Sequence, residues 1–178
     1  RRGRVERKRS WGRTGRGRHV GRARDGQWAY PQRGVRTADF VYIINFAPDR
    51  WPMGNTYNIT ADSAPDFKTL ENNTFVTYGD LDASPTKAWL IERRNDEKWE
   101  WHYDYAFAKR PREELYVLAD DPDQVNNVAG DEKFASIKTK LNRQLMGRLK
   151  KARDPRVLGD GSTFDKPPYI TTQAKRRK

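Results

Sequence analysis

The densest group of side chains with chemical potential is a cationic run in which Arg16, Arg18, His19, Arg22 and Arg24 stand close together. A guanidinium fork grips a phosphate or sulfate through two parallel hydrogen bonds, so this run has the makings of an oxyanion site. The plainer reading of such a run is a solvated basic tail. Trp11, Trp28 and Tyr30 are the few aromatic residues nearby, a thin stacking platform for a binder of single-stranded RNA. The glycines of Gly15-Arg-Gly17-Arg-His-Val-Gly21 suggest a phosphate loop. No strand pattern precedes them, however, and the spacing G-x-G-x-x-x-G is not the dinucleotide fingerprint.

Other chemistries find fewer residues to work with. The 178 residues include no cysteine, which removes a thiolate nucleophile, a disulfide framework and any Cys-ligated zinc or iron–sulfur site from this chain. The two histidines, His19 and His102, lie far apart, and neither H-x-x-x-H nor H-E-x-x-H occurs, so a self-contained zinc site is not expected. Asp120, Asp121 and Asp123 have the oxygen chemistry of calcium ligands, but Pro122 interrupts them and the loop glycine and distal Glu of an EF-hand are missing; a solvated turn accounts for them better. No G-x-S-x-G nucleophile pattern is present. By its residues alone the chain carries no complete active site. Asn58-Ile-Thr60 and Asn72-Asn-Thr74 match the glycosylation acceptor, a weak pattern that matters only on a eukaryotic secretory route.

The charge is as uneven as the chemistry. Lys and Arg total 36 against 24 Asp and Glu, a net +12. Residues 1–36 carry net +11 and residues 150–178 net +6, whereas 37–149 carry net −5. Basic ends therefore flank a mildly acidic middle, which directs any polyanion reading to the ends. No run approaches the ~18 apolar residues of a membrane span, and the Arg-rich start has no apolar core of the signal-peptide kind. The first residue is Arg, which leads us to expect a piece of a longer polypeptide.

Stepping along the chain, residues 1–26 mix Arg and Gly with only Val5, Trp11 and Val20 as sizeable apolar side chains, too little for a core, and read as a basic arm. Strands are expected over roughly 32–37 and 40–46, the second, FVYIINF, apolar enough to be covered on both faces. Residues 47–80, rich in Pro, Gly, Asn and Asp, read as a long loop lying on something larger. Ser84 is placed to cap a helix with Pro85 in its first turn, running through TKAWLIERRND. In 98–107 the alternation of Trp99, Trp101, Tyr103, Tyr105 and Phe107 suggests a half-buried strand, with helix as the alternative. A short strand at 113–119 and a turn-rich link, DDPDQVNNVAGD, follow. The clearest element is a helix over 131–151: Phe134, Ile137, Leu141, Leu145 and Leu149 share one stripe, acids sit at its start, lysines at its end, and Pro155 stops it. From 157 the chain reads as an irregular basic tail.

Three segments taken together resemble the carboxyl-terminal part of the type I sulfatases, nearest to the heparan N-sulfatase (N-sulfoglucosamine sulfohydrolase-like) and arylsulfatase group of the alkaline-phosphatase-like superfamily. Residues 15–19 stand where that family shows a GRERH-type motif, 30–52 where it shows YPxRAIRTxDFLYIxNFxPDRWP, and 114–129 where it shows ELYDLxxDPxExxNLA. Val117 replaces a common Asp and Gln124 a common Glu. The terminal helix closing on ARDPR extends the likeness to about residue 168.

The resemblance implies an α+β fold: a small antiparallel sheet with a long C-terminal helix packed on it, forming residues 27–156 as the C-terminal subdomain of a larger α/β sulfatase. It implies that the residue converted to formylglycine and the calcium ligands belong to a missing N-terminal catalytic domain, leaving this chain with no catalytic residue or metal ligand of its own. It further implies a sulfated carbohydrate substrate, export to a periplasmic, secreted or lysosomal location, and a substrate-binding role for Arg18 and His19, with Arg16 weaker. Gly17, where the family often has Glu, leaves that carboxylate contact unfilled. Tyr30, Arg36, Asp49, Arg50 and Trp51 read as structural, through strand-end packing and ion pairing. The competing reading, from another class, is a basic nucleic-acid or polyanion binder using the Arg-rich arm. A third is a stranded, inactive fragment.

Overall fold

A computed structural model of the chain describes residues 30–166. Its organising element is a three-stranded antiparallel sheet. β1 (Gln32–Arg36) and β2 (Phe40–Asn45) form a hairpin. Thr37 closes its turn by accepting a hydrogen bond from the Phe40 amide at 2.9 Å on its side-chain oxygen. Both strands stand within a residue of their expected places.

The segment after β2 is less empty than its composition suggests. It contains α1 (Phe67–Asn72), capped by Asp66, whose carboxylate accepts from the Thr69 amide and hydroxyl at 2.9 and 2.8 Å. A short 3-10 turn, Thr74–Val76, follows. α2 (Pro85–Glu92) begins as its sequence dictates, with Pro85 in the first turn and the Ser84 side chain accepting from the Lys87 amide. α1 and α2 pack together around Leu70, Ala88 and Ile91, all fully buried. The expected structureless loop is therefore corrected: it carries a helix and a 3-10 turn, and its Leu70 and Tyr78 join Ala88, Ile91 and Phe107 in a second apolar core.

The expected strand over 98–107 is also corrected. These residues form α3 (Glu100–Phe107). Asp96 starts it, its carbonyl accepting from the Trp99 and Glu100 amides at 2.7 and 2.8 Å and its carboxylate from the Lys98 amide. The alternating aromatics fit a helix as readily as a strand, because 99, 103 and 107 are also spaced by four, and so are 101 and 105. Tyr103 and Phe107 enter the second core, where Phe107 stacks on Tyr78 at 4.4 Å. Trp101 and Tyr105 face outward.

β3 (Glu113–Val117) returns to the sheet beside β2, pairing Leu115 with Tyr42 and Glu114 with Ile43. The sheet order is β1-β2-β3. The DPDQVNN link is a set of side-chain-capped turns: Asp121 accepts from the Val125 and Asn126 amides at 3.0 Å, and Asn127 from the Leu115 and Ala129 amides. After a 3-10 turn at Glu132–Phe134, α4 (Ala135–Lys151) crosses one face of the sheet. Leu141 and Leu145 are buried against Val35, Tyr42, Ile44 and Leu115, with Phe134, Ile137 and Leu149 partly buried around them. All five residues of the expected stripe thus meet the sheet, each fully buried leucine contributing about 1.5–3 kcal/mol.

α4 ends at Lys151 as expected, ahead of Pro155. It ends in a Schellman turn, the Asp154 amide donating to the Leu149 carbonyl and the Arg153 amide to the Lys150 carbonyl. Pro155 opens a one-turn helix, α5 (Pro155–Leu158), capped by Asp154. Residues 159–166 then fold back and end in a 3-10 turn. The fold is mixed α and β, with a small antiparallel sheet and a long C-terminal helix upon it. Among the described residues no helix is long and apolar enough to cross a membrane.

Candidate functional site

Arg16, Arg18 and His19 lie outside the described residues. The structure does place the remaining segments of the resemblance. Residues 30–52 build the hairpin and its exit, and 114–129 build β3 and the capped turns beside it. The two meet strand to strand.

One face of the sheet is covered by α4. On the other, Gln32, Ile43, Glu114 and Tyr116 form one wall of an open cleft of about 330 Å³. Its opposite wall comes from Pro52 and Met53, after β2, and from Tyr105 and Arg110, at and after the end of α3. Tyr30, just ahead of β1, and Asp123 and Gln124, in the turns after β3, complete it.

The most deeply buried charge in this cleft is Glu114, only 6% exposed. Its carboxylate accepts from the Asn45 side-chain amide at 2.6 Å and from the Tyr116 hydroxyl. Asn45 also donates to the Pro111 carbonyl at 2.7 Å, while its own Oδ1 is shielded from solvent without a partner among the described residues. The Tyr30 hydroxyl is shielded likewise, with the Arg110 backbone beside it and no acceptor for its proton among the described residues. A buried polar atom left unpaired costs about 1–3 kcal/mol, so two beside one cleft mark an incompletely satisfied network.

The hydroxyls here are held protonated. Burial pushes the Tyr30 phenol up to about 12, with the negative charge of Glu114 adding to it and Arg110 opposing. Burial likewise raises Tyr116, and its hydrogen bond to Glu114 raises it further. Both are therefore hydrogen-bonding groups at neutral pH rather than bases. Arg110 lies over the Tyr105 ring, 5.2 Å from its centre, and donates to the Tyr105 carbonyl. The Tyr105 hydroxyl donates to the Gln124 carbonyl at 3.1 Å, tying α3 to the turn after β3. Such an arrangement has the hydrogen-bonding groups to hold and orient a polar ligand.

Of the residues read as structural, Arg50 and Trp51 behave so. Arg50 pairs with Asp165, and Trp51 sets its edge against Tyr78 at 6.1 Å. Tyr30 has a second aspect, since its hydroxyl is turned to the cleft network. His102 stacks with Trp101 at 3.8 Å and approaches Trp99 at 5.2 Å, its Nδ1 buried without a partner. No group of three or more His, Asp or Glu among the described residues is disposed to hold a metal ion.

Sequence reasoning missed Glu114, Tyr105, Tyr116 and Arg110. A signal existed for Glu114. It precedes the apolar Leu115-Tyr116-Val117 of a strand, and the strand's period of two places it on the other face from Leu115, the one α4 leaves uncovered. Tyr105 was hidden by the mistaken strand assignment.

No protein-family profile matches this chain, and no curated protein sequence matches it significantly.

Proposed function

We propose that this chain is the C-terminal portion of a sulfatase of the heparan N-sulfatase and arylsulfatase kind, acting on sulfate esters or N-sulfate groups of sulfated glycans. The observation that carries the reading is the convergence of the motif-bearing segments. Residues 30–52 and 114–129, some sixty positions apart, pair in one sheet, and the terminal helix lies on that sheet.

In this reading the formylglycine nucleophile and calcium belong to an upstream domain, the latter stabilising the charge of the transferring sulfate. The contribution of this chain is to frame the substrate, with Arg18 and His19 approaching the sulfate.

The test is binding by the 178-residue chain to a sulfated heparan oligosaccharide and to DNA of similar charge density, over a salt series. Preference for the glycan, weakened by His19→Ala, supports the reading. Equal or better binding to DNA, falling steeply with salt and indifferent to His19→Ala, overturns it in favour of a polyanion binder. Calcium-dependent turnover of an aryl sulfate by the chain alone would also overturn the assignment of catalysis to another domain.

That second reading rests on its own observation. Residues 30–166 hold 21 basic and 22 acidic residues, net −1, so the +12 of the chain resides wholly in its ends.

A further inference from the structure

We propose that the cleft on the uncovered sheet face is a binding site for one uncharged sugar ring, with Trp101 as a stacking surface for its neighbour. The inference stands on the geometry of residues 30–166 and does not depend on the sulfatase reading.

Size comes first. A cleft of about 330 Å³ lies at the small end of ligand sites, room for a single ring rather than an extended polymer. Its chemistry comes next. Sugar hydroxyls both donate and accept, and the cleft offers both kinds of partner: Glu114 and Asp123 accept, Arg110 donates, and Gln32 and Gln124 do either. The Tyr30 hydroxyl, with the Arg110 backbone beside its oxygen, has no acceptor for its proton, which it keeps at neutral pH away from water, the position at which a ligand oxygen removes an existing penalty. Charge argues against an anionic ring. One guanidinium faces two carboxylates, Glu114 and Asp123, so a sulfate or phosphate would meet net negative charge.

Aromatic exposure supplies the last part. Tyr105 lines the cleft while 39% exposed, and Trp101, one helical turn earlier, is 54% exposed with its ring 6.3 Å from that of Tyr105. Val125, 52% exposed, follows Gln124 of the cleft wall. Large apolar side chains set side by side at the mouth of a polar cleft mark a binding surface. The flat faces of Trp and Tyr match the C–H face of a pyranose, while the cleft takes its hydroxyls.

The experiment is saturation-transfer NMR and tryptophan fluorescence titration of the full chain with glucose, N-acetylglucosamine and their β-1,4 disaccharides, with inorganic sulfate in parallel. We expect saturation transfer to at least one neutral sugar, tighter binding of its disaccharide, and a fluorescence change that saturates with it. Tyr30→Phe should weaken binding about three- to tenfold, the loss of one hydrogen bond. Trp101→Ala should remove the disaccharide's advantage and leave the monosaccharide unaffected. Trp101 is an exposed side chain, so a melting transition unchanged from the parent shows that any loss is not unfolding. The proposal is overturned by no transfer to any of these sugars, by binding that neither variant weakens, or by sulfate competing for the same site.

Discussion

The guanidinium of Arg50 makes two hydrogen bonds, each 3.0 Å, to the carboxylate of Asp165 across 115 positions of chain. Arg156 reaches the same carboxylate at 3.4 Å through both of its terminal nitrogens. One carboxylate thus fastens the exit of β2 to the chain beyond α5, and Arg33 closes the same side with its 2.7 Å bond to Asp154. The Phe164 ring lies beneath both Arg33 and Arg156. Residues read as an irregular tail are in this way held to the sheet end by charge.

Asp165→Asn should therefore cost about 3 kcal/mol, since it leaves two guanidinium groups without their shared anion, one of them almost fully buried. Burial pushes the Asp165 carboxyl up, but the hydrogen bonds of Arg50 and Arg156 outweigh it and hold the group below its ordinary value of 3.8. Its stabilising contribution is then complete above that pH and lost as pH falls through the lower folded value. Urea unfolding followed from neutral pH to pH 3 checks both points. The variant should lose stability at neutral pH and show a flatter acid limb than the parent, and equal curves would refute the tether.

Lys87 offers a second case of charge used as a fastener. Its side chain is 1% exposed, and the ammonium donates to the carbonyls of Thr74, Tyr78 and Leu81 at 3.1, 3.1 and 2.9 Å. Tyr78 meets it with a left-handed backbone, φ 45°, unusual for an aromatic residue. Lys87→Met keeps the apolar stem and removes the donors, leaving buried carbonyls unpaired at about 3 kcal/mol. Thermal unfolding measures the loss. An unchanged midpoint would mean that water reaches those carbonyls.

What the sequence displays and what it conceals follow from how local each cause is. Ser84 and Pro85 start α2 through bonds within one turn, and the Leu141 and Leu145 stripe repeats at the helical period, so both are legible. Residues 99–107 satisfy two periods at once, so the pattern alone does not separate strand from helix, and the bonds that Asp96 accepts on its carbonyl and carboxylate become decisive only once the turn has formed. Lys87 looks like any surface lysine, and only the folding of 74–81 around it makes its burial. The cleft is the least local feature of all. Tyr30, Tyr105 and Glu114 come from three separate segments, and their meeting is a product of strand pairing and helix placement. The basic residues at 16–19 were conspicuous for the opposite reason, being a dense run of one type.

Arg153 takes a left-handed conformation, φ 55°, at the position after the α4 cap where Gly is the usual residue. Its amide serves the Schellman turn, while its exposed side chain takes no hydrogen bond or ion pair among the described residues. Arg153→Gly relieves a steric cost of about 1–2 kcal/mol and gives back part of it through greater freedom of the unfolded chain. A net gain of about 0.5–1 kcal/mol is expected. It should appear as a raised urea midpoint with unchanged slope, and a lowered midpoint would show that the arginine side chain contributes more than the turn strain costs.

Four of the eight tyrosines should make the chain unusually sensitive to alkali. Burial raises Tyr30 to about 12, and raises Tyr42, Tyr78 and Tyr116 further still from the ordinary 10.0. For the last three the hydrogen bonds of the hydroxyls add to burial: Tyr42 donates to Glu113, Tyr78 shares a 2.6 Å bond with Tyr103, and Tyr116 donates to Glu114. Above pH 10 the unfolded chain releases these protons while the folded chain keeps them, so the folded state binds more protons and each pH increment favours unfolding. The stability they confer is whole below pH 10 and is lost as pH rises toward the folded values. A phenolate absorbance titration run beside circular dichroism should show these four groups ionising together, at the pH where secondary structure is lost. Tyr42→Phe should move that transition to higher pH, because one coupled proton is removed, although the lost Glu113 and Asn142 hydrogen bonds lower stability at neutral pH. Smooth, independent ionisation of all eight phenols without loss of structure would show that the sheet interior admits the phenolate.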